Sequence, residues 1–256
     1  DIYMFIHQSN NEVYKNHGME INFDSKGVLD AFTKLCNMFT QYSLPYQYDF
    51  ANRFRTGEMP IGIADLTFYQ QLYYSAPELN GKWAMTLLPG KARVDEETGE
   101  EFIDRSISGV ASCCIIIRQD SEEKQHYAES WTFIQWWLSN AVQAEYGREV
   151  EATFGVASRW NPANKVALQS LPYTQEELDV INAQWEHLDE TPGTMGDYYT
   201  SRYLVTALNQ TVMQGLSGRI ALEDAVKEIN KEMRRKQAEF GIPKDGAIYI
   251  DRAAAK

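Results

Sequence analysis

The chain has 256 residues, enough for one large or two modest domains. Its formal net charge of −12 argues against a nucleic-acid binder, which needs a basic surface to neutralise phosphates, and against docking on an anionic membrane. Hydrophobic residues make up 44% and charged residues 23%, which is typical of a globular protein and argues against disorder. The 15 Tyr, 11 Phe and 6 Trp form a large aromatic set.

One apolar run, at residues 109–117, is far shorter than the ~20 residues of a membrane span. This run contains Cys113 and Cys114, which its apolar character predicts to be buried, inert thiols. Together with Cys36 they make three cysteines, and so sparse and odd a count excludes a disulfide scaffold.

In the first half of the chain, short helices alternate with candidate strands. Asp24 or Ser25 can cap the first convincing helix, whose apolar residues form one stripe, and Asp65 can cap a later one. The predicted elements are helices over residues 25–42, 49–55 and 65–74, strands over 59–64, 83–88 and 109–117, and a solvated loop or hairpin over 91–105.

The second half is mostly helical. Asp120 begins a predicted helix to Leu138, in which amphipathic spacing predicts that Trp131, Trp136 and Trp137 lie in the core. Later helices are predicted over 140–148, after a capping box at 174–177, over 197–214 up to Gly215, and around 222–233. The sum is an α/β chain with few strands and many helices.

Strong catalytic signatures are absent from the sequence. It contains no P-loop, nucleophile elbow or zinc-protease motif, and its four histidines lack metal-ligand spacing, so no cofactor or metal is predicted. Aromatic residues beside polar groups are more informative, because flat rings suit the C–H faces of sugars while polar side chains bond hydroxyls. Core packing is the alternative for each of them. These groups are Asp65 with Phe68 and Tyr69, the run Arg159-Trp160-Asn161-Pro162, and Tyr198, Tyr199, Arg202 and Tyr203.

Several short segments follow one another in a recognisable order. They are FRTGEMPIGIA at 54–64, LNGKWAMTLLPG at 79–90, SGV at 108–110, AESWTF at 128–133, LSG at 216–218 and LEDA at 222–225. In this order the chain resembles the extracellular solute-binding proteins of ABC importers, the family that includes maltose-binding protein.

The resemblance implies the two-lobed, type II periplasmic-binding-protein or Venus-flytrap fold. A carbohydrate would bind in the cleft between the lobes, the hinge would close, and the closed form would dock on the transmembrane subunits of the permease. It implies no catalysis and no cofactor. Matched residue by residue, the ligand-binding positions would be Asp65, Tyr69, Ser108, Trp160, Asn161, Tyr198, Tyr199 and Arg202.

The resemblance also implies a division of the chain. Residues 1–88 and 159–242 would form the helix-rich second lobe, 89–158 would be a returning segment of the first lobe, and 243–256 a tail. We would then expect a C-terminal portion of an extracellular or periplasmic receptor, lipid-anchored through a segment absent here. Two other functions stay open: a carbohydrate-active hydrolase using paired carboxylates, and a non-catalytic helical interaction domain.

Overall fold

The computed structural model describes residues 2–109, 111–119 and 126–248. Helices dominate it, and its strands are short. In chain order the elements are α1 (Ile2–His7), β1 (Tyr14–Lys15), β2 (Glu20–Ile21), α2 (Lys26–Thr40), α3 (Phe50–Arg55), α4 (Leu66–Ser75), β3 (Lys91–Val94), β4 (Glu101–Asp104), β5 (Ile107–Ser108), α5 (Tyr127–Trp137), α6 (Asn140–Phe154), α7 (Lys165–Leu168), α8 (Gln175–Trp185), β6 (Leu188–Asp189), α9 (Asp197–Gln214) and α10 (Gly218–Glu239), with 3-10 turns at Pro77–Leu79 and Val156–Ser158.

The chain divides into two compact units. Residues 2–47, 89–109 and 187–248 form the first unit, and residues 48–88, 111–119 and 126–186 form the second unit. Residues 48–88 thus group with 126–186, and the predicted lobes, 1–88 with 159–242 and 89–158, stay a prediction. The chain leaves the first unit twice and returns twice, and composition alone does not mark those crossings. Which lobe of a longer receptor each unit represents stays a prediction.

The core of the first unit is helical. Helix α2 packs against α1, α9 and α10, and β2 contacts α10. Phe32, Ile229 and Met233 are fully buried there. The antiparallel hairpin β1–β2 pairs Tyr14 with Ile21, and the hairpin β3–β4 pairs Lys91 with Asp104. Helix α9 ends at Gly215, whose φ of +73° is readily adopted only by glycine.

A smaller core lies in the second unit. Tyr69 and Leu168 are buried in it, and Trp83 packs against it as a half-buried side chain. The backbone N–H of Leu88 donates to Gln184 Oε1 of α8 at 3.0 Å, so a side chain takes the place of a strand partner. Residues 83–87 alternate in burial as a strand would, yet residues 83–88 pair with no strand in the described chain.

The strand predictions for 59–64 and 109–117 were wrong over their described residues. Residues 59–64 and 111–117 are described and belong to no strand, and Ile61 and Ile115 are 87% and 81% exposed. Cys113 and Cys114 are correspondingly exposed, so the prediction of buried thiols was wrong. An apolar β-branched run forms a strand only where a neighbouring strand takes its backbone hydrogen bonds. The described residues provide none here. The hairpin predicted within 91–105 is confirmed.

The helix predictions fared better. Ser25, Asp49 and Asp65 cap α2, α3 and α4 through their side chains. The predicted helix starting at Asp120 is described from Tyr127; residues 120–125 lie outside the described residues, as does the tail beyond 248.

The predicted core role of the α5 tryptophans was largely wrong. Trp131 and Trp136 are 55% and 54% exposed, whereas Trp137 is half-buried. The apolar residues of this helix are spread around its surface rather than confined to one face. Its contact with α6 covers only part of that surface. Trp137 lies on the covered part, where its ring contacts those of Tyr146 and Trp160.

The capping box at the start of α8 is confirmed and supports a stability prediction. Thr174 Oγ1 accepts from the Glu177 N–H at 3.3 Å, and Glu177 Oε2 accepts from the Thr174 N–H at 2.8 Å. We expect Thr174→Ala to lower the free energy of unfolding by ~1 kcal/mol in urea titrations. Ser139→Ala is the control, because that N-cap side chain makes no capping hydrogen bond within the described residues. Equal effects of the two changes would contradict the prediction.

Candidate ligand-binding site

Four of the predicted ligand residues lie in the first unit. Ser108 is the last residue of β5, which pairs in parallel with β6. Its Oγ lies 3.1 Å from His7 Nε2 and 2.9 Å from Thr191 Oγ1. Ser108 and Thr191 are half-buried, whereas the His7 side chain is only 6% exposed. A predicted ligand residue is thus part of a polar cluster whose other members the sequence did not single out.

Tyrosines crowd the start of α9, after the Gly/Pro loop. Tyr198 is 57% exposed, and its ring centroid lies 4.2 Å from that of half-buried Tyr199. A hydrogen bond with Tyr199 raises the pKa of the Tyr198 phenol above its usual range, so the Tyr198 ring stays neutral. Arg202 is exposed one turn further along the helix. The structure therefore places aromatic surface and a guanidinium on one helix end, as the spacing predicted.

In the second unit, the two predicted residues of α4 have different environments. Asp65 is exposed, and its carboxylate accepts from the Phe68 N–H at 2.9 Å as the helix N-cap. Tyr69 is 4% exposed and donates its hydroxyl proton to Glu177 at 2.8 Å. Burial, together with that carboxylate, raises the pKa of Tyr69 above its usual range. Its ring contributes to the core, so little of it is available to a ligand.

Trp160 and Asn161 follow the 3-10 turn after α6, and both have partners inside the unit. Trp160 is half-buried, and its indole N–H donates to Gln143 at 3.0 Å, while its ring meets Tyr146 edge-on at 5.2 Å. Asn161 Oδ1 accepts from Tyr173 at 3.0 Å and from Gln70 at 3.0 Å. Both residues therefore stabilise this unit, whether or not they also touch a ligand.

Arg159, which the sequence places beside Trp160 as a possible donor to sugar hydroxyls, makes a buried ion pair that was not predicted. Arg159 donates two hydrogen bonds to Glu151, at 2.7 and 2.6 Å, and its guanidinium lies 4.5 Å from the Tyr173 ring centroid. Burial disfavours its charge, but the carboxylate outweighs burial and holds the pKa of Arg159 above its usual range. Through Arg159, Tyr69 and Asn161 belong to one network. Glu151 and Arg159 lie eight positions apart with a glycine turn between them, so no periodic signal reveals the ion pair.

The described residues contain neither a metal-ligand cluster nor a membrane-spanning helix. Residues 2–109, 111–119 and 126–248 bring no three His, Cys, Asp or Glu side chains together as metal ligands. Over the same ranges, every helix falls short of the length and apolar character that crossing a membrane requires.

Comparison with known proteins gives matches at the level of structure. No protein-family model matches the chain, and no curated protein sequence does. An ABC transporter solute-binding protein from Thermotoga lettingae, solved bound with alpha-D-tagatose, aligns over 91% of this chain with a TM-score of 0.63 and 16% identity. The sugar-binding protein MalE of Xanthomonas citri aligns over 95% of it, with a TM-score of 0.68 and 16% identity.

The alignment covers only part of both solved proteins. The chain spans 55% of the first protein and 58% of the second. At this identity the likeness concerns fold, and it agrees with the α/β, helix-rich architecture described above. The chain therefore has the type II periplasmic-binding-protein fold, of which it represents a part.

Proposed function

We propose that this chain belongs to the solute-binding receptor of an ABC importer and that it binds a neutral carbohydrate without transforming it. The main support is the fold shared with two solute-binding proteins, one of them solved with a sugar. The tyrosine pair at the start of α9 adds a chemical argument, because exposed aromatic rings pack on the C–H faces of sugars. Arg202 can donate hydrogen bonds to hydroxyl oxygens.

The proposed ligand-binding residues differ in how exposed they are and in whether they have structural partners. In the first unit, Ser108, Tyr198, Tyr199 and Arg202 are at least partly exposed and are proposed to touch the sugar. In the second unit, Asp65, Trp160 and Asn161 are proposed contacts that also have structural partners. Tyr69 is proposed to act through Glu177 and Arg159 rather than by direct contact, since its ring is buried.

The proposal extends to partner and location. A receptor of this kind would deliver its sugar to the transmembrane subunits of the permease at the outer face of the cell membrane. We propose an extracellular or periplasmic location with a lipid anchor supplied by other parts of the protein. Fractionation of cells producing the natural protein, with metabolic labelling by a fatty acid, tests location and anchoring together.

A binding screen tests the ligand class. Calorimetry would use the natural protein that contains this chain, with D-tagatose, D-glucose, maltose, maltotriose, cellobiose and xylobiose. A peptide, a polyamine and a divalent metal would be the comparison ligands. We expect one or more sugars to bind and the comparison ligands not to bind. Binding of the comparison ligands alone would overturn the carbohydrate assignment. Hydrolysis of chromogenic glycosides would favour the hydrolase instead.

A substitution tests the tyrosine pair. We expect Tyr198→Ala to weaken binding of the tightest sugar in that panel by roughly tenfold, because a stacking surface is lost. Its exposure predicts little change in the urea midpoint. The matched control is Tyr74→Ala, a 73% exposed tyrosine of the second unit that is not a predicted ligand residue. If both variants bound the sugar equally well, the start of α9 would not be part of the binding site.

A further inference from the structure

Four polar side chains of the first unit form a cluster, and only one of them, Ser108, is among the proposed ligand contacts. His7 Nδ1 lies 3.1 Å from Asp189 Oδ2, and His7 Nε2 lies 3.1 Å from both Ser108 Oγ and Thr191 Oγ1. The two hydroxyl oxygens are 2.9 Å apart. Helix α1, strands β5 and β6, and the residue two positions beyond β6 thus supply one side chain each.

The backbone fixes the acidic member of the cluster. The second oxygen of Asp189, Oδ1, accepts from the Glu190 N–H at 2.8 Å, and the β5–β6 ladder pairs Ser108 with Asp189. The carboxylate therefore presents its other oxygen to His7 in a set direction. A carboxylate accepts hydrogen bonds only, so the proton of a neutral His7 lies on Nδ1.

This tautomer determines where the hydroxyl protons go. With the proton on Nδ1, Nε2 is an acceptor and takes one hydrogen bond from Ser108 or Thr191. The other hydroxyl then donates to its neighbour across 2.9 Å. Both hydroxyl protons are used within the cluster, and only lone pairs remain for a further partner. Because both residues are half-buried rather than enclosed, such a partner can reach them.

The arrangement of serine, histidine and aspartate resembles a catalytic triad, but its backbone does not suit acyl transfer. A serine nucleophile needs backbone N–H groups free to bind the developing oxyanion. The N–H of Gly109, directly after Ser108, donates to Asp189 O at 3.2 Å, and that of Ile107 donates to His187 O at 3.2 Å. Both neighbouring donors are occupied by the strand pair, which favours binding over catalysis.

We propose that His7 is a positioning residue that sets the Ser108 and Thr191 hydroxyls as a hydrogen-bond acceptor pair for the hydroxyl groups of a neutral, polyhydroxylated ligand. The inference rests on the proposed function and specifies it. An alcohol group brings a proton and satisfies the pair, whereas a carboxylate or phosphate brings none. The cluster thus selects neutral sugars over sugar acids and sugar phosphates.

The tautomer is tested without any ligand. Nitrogen-15 NMR of the imidazole should show the proton of neutral His7 on Nδ1 in the natural protein, and a shifted tautomer balance in Asp189→Asn. A proton on Nε2 in the natural protein would overturn the inference. Labelling of Ser108 by a fluorophosphonate would overturn it as well, because it would show a reactive nucleophile.

The ligand half is tested with the tightest sugar of the panel and its deoxyfluoro analogues, which cannot donate at the replaced position. We expect Ser108→Ala with Thr191→Val to weaken sugar binding about tenfold, as expected for lost hydrogen bonds. One analogue should lose a similar factor with the natural protein but not with this variant. His7→Ala should add little to the loss, because it acts through the same hydroxyls.

A control variant and the binding screen distinguish failure of this inference from failure of the proposed function. Thr33→Val removes an exposed hydroxyl of α2 in the same unit and should leave affinity unchanged. If no panel sugar binds the natural protein, the proposed function fails and the ligand class named here fails with it. If a sugar binds the natural protein and the Ser108→Ala, Thr191→Val variant equally well, only the present inference is overturned.

Discussion

Replacing Glu151 with Ala is expected to destabilise the protein by about 3–5 kcal/mol. The Glu151 and Arg159 side chains are only 15% and 7% exposed, so the change leaves a guanidinium in the second unit without its carboxylate. Breaking a buried pair costs far more than forming it contributes, because the remaining charge has already lost its hydration. The measurement is the free energy of unfolding from urea titrations.

Two further variants make this prediction specific. Lys165→Ala breaks a pair whose side chains are 57% and 70% exposed, and it should cost at most about 1 kcal/mol. Glu151→Leu combined with Arg159→Met replaces both charges by apolar groups and should recover much of the loss. A Glu151→Ala effect no larger than that of Lys165→Ala would show that water reaches Arg159.

The second large effect is expected in the first unit. Phe32→Ala should lower the free energy of unfolding by about 3–5 kcal/mol, because the ring is fully buried among α2, α9 and α10 and its loss leaves a cavity. The comparison is Trp131→Ala, which removes a larger side chain that is 55% exposed. We expect the tryptophan change to cost less than ~1 kcal/mol.

These two variants rank the aromatic residues in a way the sequence alone did not. Periodicity places both Phe32 and Trp131 on apolar helices and predicts both as core. Only the tertiary neighbours distinguish them, since α2 has other helices on its apolar side and α5 is covered only in part. If Trp131→Ala proved as costly as Phe32→Ala, the exposed face of α5 would be covered in the natural protein.

Local signals explain which parts of the fold could be predicted. Caps at Ser25, Asp65 and Thr174 and the stop at Gly215 each act within a few residues, so the helices they bound were read correctly. Strand formation depends on a partner elsewhere in the chain. The apolar run at 111–117 has no strand partner among the described residues, and its apolar side chains are largely exposed.

The candidate site likewise has one part that the sequence predicts and one part that it does not. Tyr198, Tyr199 and Arg202 are close in sequence and lie on one helix, so their grouping was predictable from spacing. The cluster around His7 joins three chain segments, at His7, Ser108 and Asp189–Thr191, each more than 80 positions from the next, and no local pattern links them. Its residue types, one histidine among four and scattered hydroxyls, are common enough to attract no notice.

Strands β5 and β6 stand on either side of a long part of the second unit in the chain, and this order has a consequence for folding during synthesis. Helices α9 and α10, which complete the core around Phe32, are synthesised after every residue of the second unit. On the ribosome the second unit can therefore fold first, while the earlier segments of the first unit wait with their apolar surfaces uncovered. Once it has folded, the long connection from Ile107 to Leu188 becomes a compact insert rather than a loose loop. This lowers the entropy cost of joining the two strands.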